Sequence, residues 1–162
     1  MATPDIRLAR PTERAALEDL QRRASLALAD YRAQLEAHPD AIDLPAARIA
    51  EGRVLVAEDE AGVAGFAVWI DGEAALEAEL DGLFVEPERW RGGIGRALVE
   101  AVAAAAADAG KTRLRVVANP AALAFHRHCG FVPAGETQTR FGPAPVMVHS
   151  AGPLNLRPDP PM

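Results

Sequence analysis

The chain has 162 residues, of which 49% are hydrophobic and 25% are charged, with a formal net charge of −6. This composition predicts one globular domain, and the acidic balance argues against generic binding to nucleic acid or to an anionic membrane. The single cysteine, Cys129, excludes an internal disulfide and suits a reducing compartment.

The first residues carry no basic region followed by an apolar core, so we expect no signal peptide. The longest apolar stretch, residues 101–107, is far shorter than the roughly 20 residues that a membrane helix needs. We therefore expect a cytoplasmic protein.

The N-terminal part predicts a short strand at residues 6–9 and then helix. Apolar residues recur at helical spacing, at Leu17, Leu20, Ala24 and Leu28. The helical pattern continues to residue 37 and breaks at residues 38–40. A short helix is expected over residues 45–51.

The remaining chain predicts mostly strands. A hairpin is expected from strands at residues 54–57 and 63–70, followed by a strand over 74–85. A helix from residue 93, a strand at 114–118, a second helix, a strand and a last strand at 144–148 follow. Hairpins followed by strand–helix–strand predict an α+β domain with a mixed sheet, over residues 5–154, and the proline-rich residues 155–162 predict a loose tail.

The segment after the 74–85 strand carries the strongest chemical signal. A basic turn with Gly92, Gly93 and Gly95 feeds directly into a helix, and Arg91 and Arg96 add positive charge. Glycines let an anion approach the backbone closely, and the first N–H groups of a helix point at it. The turn is therefore interpreted as a cradle for a phosphate or pyrophosphate.

Neither of two common phosphate motifs is present in this turn. The Walker pattern needs Gly-Lys-Ser/Thr, and the chain's one lysine, Lys111, lies elsewhere. The dinucleotide fingerprint needs a third glycine where Leu98 stands. Taken alone, the turn also fits an ordinary glycine-rich connection between strand and helix.

A second motif, residues 119–131, follows the strand at 114–118. With the first it resembles the GNAT acyltransferase superfamily, whose members move an acyl group from coenzyme A to an amine. The matching residues are Val85, Pro87, Gly93, Gly95, Asn119, Ala122, Phe125, Gly130 and Phe131. The two motifs are in order and at the usual separation, and the resemblance covers roughly residues 5–154.

The resemblance implies a mostly antiparallel central sheet with helices on both faces, and acetyl-CoA as co-substrate. The arm of the cofactor would lie where the strand ending at Val85 and the strand ending at Asn119 diverge, with the pyrophosphate on residues 91–96. The implied cofactor-binding residues are Leu83, Phe84, Val85, Arg91, Gly92, Gly93, Gly95, Arg96, Asn119 and Phe125. For Asn119, a plain helix cap before Pro120 also fits.

The chain departs from the family pattern at two positions. Trp90 stands where the family usually has Arg or Gln, although the adjacent Arg91 keeps a charge in the turn. His126 stands where the family usually has the tyrosine that donates a proton. An imidazole can serve as a proton donor to the departing thiolate near neutral pH. The alternative is a histidine of the groove wall, with water supplying the proton.

Three acids alternate along the strand before the turn. Glu77, Glu79 and Asp81 fall on one face. Counting back from Val85, Glu79 falls where some family members carry a catalytic glutamate, so it is the candidate general base, with Asp81 second. A carboxylate near a cleft can accept the proton of an ammonium group. The alternative is a solvated acidic face.

No metal site is expected. His126 and His128 are two apart on a helix and point away from each other. Cys129 is interpreted as a buried apolar filler.

The leading hypothesis is direct acetyl transfer from acetyl-CoA to a primary amine. A non-catalytic acyl-CoA-binding module is the alternative that His126 keeps open, and a phosphate-binding regulatory domain is a weaker third. The acceptor, a small molecule or a protein amine, would be set by residues 14–51 and 139–147, and the acidic face favours a cationic amine. A homodimer is the candidate oligomeric state.

Overall fold

The computed structural model describes residues 4–119, 122–140 and 142–151. Its strands are β1 Asp5–Leu8, β2 Val54–Asp59, β3 Gly62–Asp71, β4 Glu77–Val85, β5 Arg113–Val117, β6 Val132–Thr139 and β7 Gly142–Ser150. They form one sheet in the order β1-β2-β3-β4-β5-β7-β6. β4 and β5 pair in parallel, whereas β1 with β2, β2 with β3, β5 with β7 and β6 with β7 are antiparallel. The predicted α+β class with a mixed, mostly antiparallel sheet is confirmed.

The helices are α1 Arg14–Leu26, α2 Ala29–Ala37, α3 Ala46–Ala50, α4 Ile94–Asp108 and α5 Leu123–His128. The predicted apolar stripe of α1 is buried at Leu17, Leu20 and Ala24. The prediction of continuous helix to residue 37 was wrong. The N–H of Leu28 bonds to the carbonyl of Ser25, only three residues back, which tightens the last turn and ends α1.

The structure also shortens the predicted strand at 74–85. The N–H of Gly72 donates to the carbonyl of Glu77 at 2.8 Å, which closes a turn over the residues between them. β4 therefore begins at Glu77, and Leu76 before it is exposed.

The described chain forms two compact units. The first comprises the residues up to Trp69 together with Gly82–Leu98, and the second comprises Ile70–Asp81 and the residues from Val99 onward. The core of the first unit packs buried residues of α1, of α3 and of the loop before α3 against β2 and β3: Leu17, Leu20, Leu44, Ile49, Val54, Val56, Phe66 and Val68. Phe84 lies at its margin.

The second unit has its own buried residues, among them Leu80, Val102, Leu114, Phe131 and Met147. In the part of the chain that the structure describes, no helix is long and apolar enough to cross a membrane. The predicted tail over 155–162 lies outside the described residues.

Candidate functional site

The turn that joins β4 to α4 belongs to the first unit. Pro87–Arg89 forms a short 3-10 helix, and Trp90 is extended after it. Arg91 and Gly93 have positive φ angles, 68° and 84°, and α4 begins at Ile94. Within the described chain, Arg91 is the one non-glycine residue in this left-handed region, which glycine adopts most easily.

Space is open over the turn. A methyl group at Gly93 would meet no atom within 4 Å. Arg91, Gly92, Gly93 and Arg96 are exposed, and the first N–H groups of α4 point out of the helix with the positive end of its dipole. Two arginines, open space and outward N–H groups fit a pyrophosphate or a similar anion.

Two ion pairs brace the segment before the turn. Arg89 pairs with Asp59 at the end of β2, and the guanidinium holds the pKa of Asp59 below its usual range. Arg23 of α1 donates from Nε to Glu86 at 3.0 Å. Both contacts tie the turn to neighbouring elements of the first unit, and the sequence patterns did not predict either of them.

Trp90 has a local role in the turn. Its Nε1–H donates to the carbonyl of Val85 at 2.9 Å, five residues back. The side chain therefore closes the loop that follows β4.

The predicted cofactor-binding residues Leu83, Phe84 and Val85 are half-buried at the end of β4. The Phe84 ring packs against Phe66 with 5.2 Å between ring centroids. Its side chain therefore packs against the core of the first unit.

In the second unit, the acids of β4 face arginines of β5. Glu77 is in register with Arg113 and Glu79 with Arg115. Both rows are ion pairs: Arg113 Nε lies 3.3 Å from Glu77 Oε2, and Arg115 donates a hydrogen bond to Glu79. Asp81 is exposed at the next position of the same face.

Two of the three acids on this face are therefore paired with cations. Arg113 and Arg115 neutralise Glu77 and Glu79, so these two carboxylates do not by themselves favour a cationic acceptor. The sequence carried a usable signal, because an Arg-x-Arg strand matches a Glu-x-Glu strand when the two pair in parallel.

His126 is buried in α5, with 5% of its surface exposed. Its ring makes edge-on contacts with Phe125 and Phe131, at centroid distances of 5.4 and 5.3 Å. Its Nδ1 has no hydrogen-bond partner among the described residues. Burial lowers the pKa of His126 to about 4. The imidazole is therefore neutral near pH 7, which disfavours the imidazolium donor that the sequence suggested.

His126 and Glu79 do not share a face of the sheet. Glu79 is in register with Arg115, whereas His149 is in register with Leu114 on the opposite face. Phe131 contacts both His149, at 5.2 Å between ring centroids, and His126. His126 is therefore packed toward the face that carries His149.

The other predicted groups of the second unit are Asn119 and Phe125, both half-buried. The carbonyl of Asn119 accepts the N–H of Ala122 at 2.8 Å. Cys129 is buried, as expected of an apolar filler. In residues 4–119, 122–140 and 142–151, no group of three or more potential metal ligands clusters.

Comparison with known proteins identifies the family of this chain. The model of the Acetyltransferase (GNAT) family matches residues 16–131, which include both motifs. The chain belongs to the GNAT acetyltransferase family. No curated protein sequence matches the chain significantly.

Solved GNAT structures share the fold over nearly the whole chain. A GCN5-related N-acetyltransferase from Rhodopseudomonas palustris is 26% identical, with a TM-score of 0.75 over 93% of this chain and 97% of that one. A putative acetyltransferase from Salmonella typhimurium, yncA, solved with acetyl-CoA, is 21% identical, with a TM-score of 0.69 over 98% and 99%. A GNAT phosphinothricin acetyltransferase from Sinorhizobium meliloti, solved with acetyl-CoA, is 22% identical, with a TM-score of 0.70 over 98% and 94%.

The left-handed backbone of Arg91 leads to a prediction about stability. Arg91→Gly and Arg91→Ala both remove the side chain, but only alanine keeps the Cβ that strains this conformation. We expect the glycine variant to be more stable than the alanine variant by about 1 kcal/mol. Urea denaturation of the two variants measures the difference. An alanine variant as stable as the glycine variant would show that residue 91 is not left-handed.

The burial of His126 leads to a prediction about pH. The lowered pKa means that between pH 4 and 6.5 the unfolded chain binds a proton that the folded chain does not. The free energy of unfolding should therefore fall as the pH drops through this range, by at most about 3 kcal/mol from this group. His126→Phe should remove that part of the pH dependence, and His128→Gln, at an exposed position of the same helix, should not. Denaturation of the three proteins at several pH values tests this, and equal pH dependence in all three would contradict it.

Proposed function

We propose that this protein is an acetyl-CoA-dependent N-acetyltransferase that transfers acetyl directly to a primary amine. The observation that carries the proposal is the turn before α4, with its left-handed Arg91 and the open space over Gly93. In a member of the GNAT family this turn is suited to the pyrophosphate of coenzyme A.

The cofactor contacts follow from this proposal. In the first unit, the backbone of residues 83–85 would bind the amide-rich arm, and Arg91, Gly92, Gly93, Gly95 and Arg96 would bind the pyrophosphate. In the second unit, Asn119 and Phe125 stay predicted contacts, on the basis of the family resemblance.

The reaction needs a neutral amine, because an ammonium has no lone pair to attack the thioester. Glu79 is the proposed base that takes the ammonium proton, directly or through water, with Asp81 as the second candidate. The amine nitrogen then bonds to the thioester carbonyl carbon and the carbon–sulfur bond breaks. The nitrogen loses one further proton and the thiolate gains one, so the products are an acetamide and coenzyme A thiol.

Protonation of the thiolate is the step for which His126 was predicted. With a pKa of about 4 the ring is neutral at pH 7, and a neutral imidazole is a far weaker acid than an imidazolium. We propose that His126 assists at most by donating a hydrogen bond from its neutral ring, and that water supplies the proton. A thiolate is a tolerable leaving group near neutral pH, so this suffices.

The same observation favours a second candidate, a non-catalytic acyl-CoA-binding module. A buried neutral histidine in place of the usual tyrosine is compatible with a protein that binds the cofactor and does not turn it over. The two functions differ in one measurement, the release of free coenzyme A thiol in the presence of amines.

Location in the cytoplasm, assembly as a homodimer, and a single domain over residues 5–154 stay predictions from the sequence. Gel filtration with light scattering tests the second of these.

Gly95→Asp tests the cofactor site. An aspartate in the first turn of α4 suits the helix dipole, so the fold should persist. Its bulk and negative charge should abolish coenzyme A binding, whereas Gly95→Ala should weaken it less, because it adds bulk without charge. Calorimetry measures the affinity, and an assay of thiol release with a panel of amines measures turnover. Undiminished affinity in folded Gly95→Asp contradicts the site, and binding without thiol release supports the binding module.

Glu79→Gln tests the base. The amide keeps an oxygen that can accept the hydrogen bond of Arg115 but cannot take a proton. We expect kcat/KM to fall by roughly 10² to 10⁴ near neutral pH, with a smaller loss at high pH where the amine is already neutral. Asp81→Asn is the matched variant. If Glu79→Gln matches the wild type at every pH, the base is Asp81 or solvent.

A further inference from the structure

The two ion pairs between β4 and β5 form successive rows on one face of the sheet. The first row is Glu77 with Arg113, and the second is Glu79 with Arg115. Both rows pair a glutamate with an arginine, but their surroundings differ. The surroundings indicate which ion pair only stabilises the sheet and which one can also contact a ligand.

The arginine of the second row is the more enclosed. Arg115 exposes 18% of its side chain against 55% for Arg113, whereas Glu79 exposes 21% against 10% for Glu77. The second row is also the last paired row on this face, because the parallel register ends at Leu80 and Val116. Ligands of parallel sheets bind at the carboxyl ends of the strands, where the pairing stops. The Glu79–Arg115 row therefore has the position expected of a ligand site.

The same row continues as an apolar surface. Val148 of β7 is in register with Arg115, and Val132 of β6 is in register with Val148. Residues in register share a face, so the row reads carboxylate, guanidinium, valine, valine. Val148 is half-buried and Val132 exposes 56% of its surface. Apolar area therefore adjoins the guanidinium of Arg115 on the side away from Glu79.

From this row we infer the class of acceptor: an α-amino acid with an apolar side chain, its carboxylate bound by Arg115, its amine by Glu79 and its side chain by Val148 and Val132. The inference rests on the proposed acetyltransferase function and names the substrate of that site. An α-amino acid carries the three complementary groups on one carbon, so one small molecule can contact Glu79, Arg115 and the adjoining Val148 while its side chain extends toward Val132.

The ion pair between Glu79 and Arg115 can be replaced by ion pairs with a ligand. Without a ligand, Arg115 and Glu79 neutralise each other, which avoids leaving a partly buried charge unpaired. A zwitterion replaces one internal pair by two, because its carboxylate takes the guanidinium and its ammonium takes the glutamate. Arginine suits this role, since its planar fork donates two parallel hydrogen bonds to a carboxylate.

An amine without a carboxylate gains less from the same site. To reach Glu79 it must compete with Arg115, and it offers Arg115 no anion in return. A site that pairs a charged group of its ligand discriminates strongly against an analogue without that group, since the buried partner on the protein is then left unpaired. The discrimination should therefore depend on Arg115 and should not depend on Arg113.

The experiment compares the binding of L-leucine and L-leucinamide, which differ only in the carboxylate. L-Methionine and L-phenylalanine, each with its amide, extend the series. Binding is measured by calorimetry or ligand-observed NMR with the full-length wild type, Arg115→Gln, Arg115→Lys and Arg113→Gln. Thermal denaturation of each variant checks its fold, and Arg115→Lys provides a charged variant if Arg115→Gln is destabilised.

We expect the wild type to bind each amino acid at least tenfold more tightly than its amide. Arg115→Gln should remove this preference, Arg115→Lys should keep part of it, and Arg113→Gln should leave it unchanged. Equal affinity for acid and amide, no binding of any amino acid in the series at millimolar concentration, or an equal effect of the two glutamine variants would overturn the inference.

Acetyl-CoA turnover with the same compounds separates this inference from the proposed function. Acetylation of amides and simple amines without a preference for the acids retains the acetyltransferase and rejects the amino-acid subsite. Arg115-dependent binding of amino acids without release of thiol retains the subsite and rejects the acetyltransferase.

Discussion

Parallel neighbours in a sheet cannot be joined by a tight hairpin, and the pairing of β4 with β5 therefore requires a crossover. In this chain the crossover is α4 together with the turn that precedes it. Two features of the molecule accompany that crossover. The turn after β4 leads into the N-terminus of α4, and β5 returns in a register that places its arginines beside the acids of β4.

The turn concentrates backbone strain at the point where a ligand is proposed to bind. Arg91 adopts a conformation that costs a residue with a Cβ roughly 1–2 kcal/mol. Such strain persists where the surrounding contacts determine the geometry, and here they include the ion pairs Arg89–Asp59 and Arg23–Glu86. A charged side chain in place of a relaxed glycine is reasonable if its guanidinium contributes to anion binding.

The strain in the turn raises the free energy of the folded chain, whereas the register of β5 lowers it. The register does so because it pairs a partly buried carboxylate with a cation. Glu79 exposes only about a fifth of its side chain, and an isolated carboxylate in that position would be expensive. Arg115 removes the cost and at the same time neutralises the charge of Glu79 on this face. The charge of this face is thus a property of the pair of strands.

Local patterns in the sequence were enough to predict several structural features of this protein and its family. Helical spacing predicted the buried stripe of α1 because it depends on neighbours three and four residues apart. The glycine turn and the second motif identified the family, because a close approach of backbone to anion needs particular residues at particular spacings. Strand alternation placed Glu77, Glu79 and Asp81 on one face for the same reason.

The tertiary structure decided those properties of the site that depend on contacts between residues distant in the chain. Arg115 lies 36 residues after Glu79, and only the strand register brings them together. The packing of His126 among Phe125 and Phe131 lowers its pKa to about 4, which its identity alone did not indicate. The left-handed backbone of Arg91 is likewise imposed by its neighbours. The sequence by itself determined the family and the position of the glycine turn between β4 and α4. The charge state of His126 and the pairing of Glu79 with Arg115 arose from burial and register, because both are set by the whole fold.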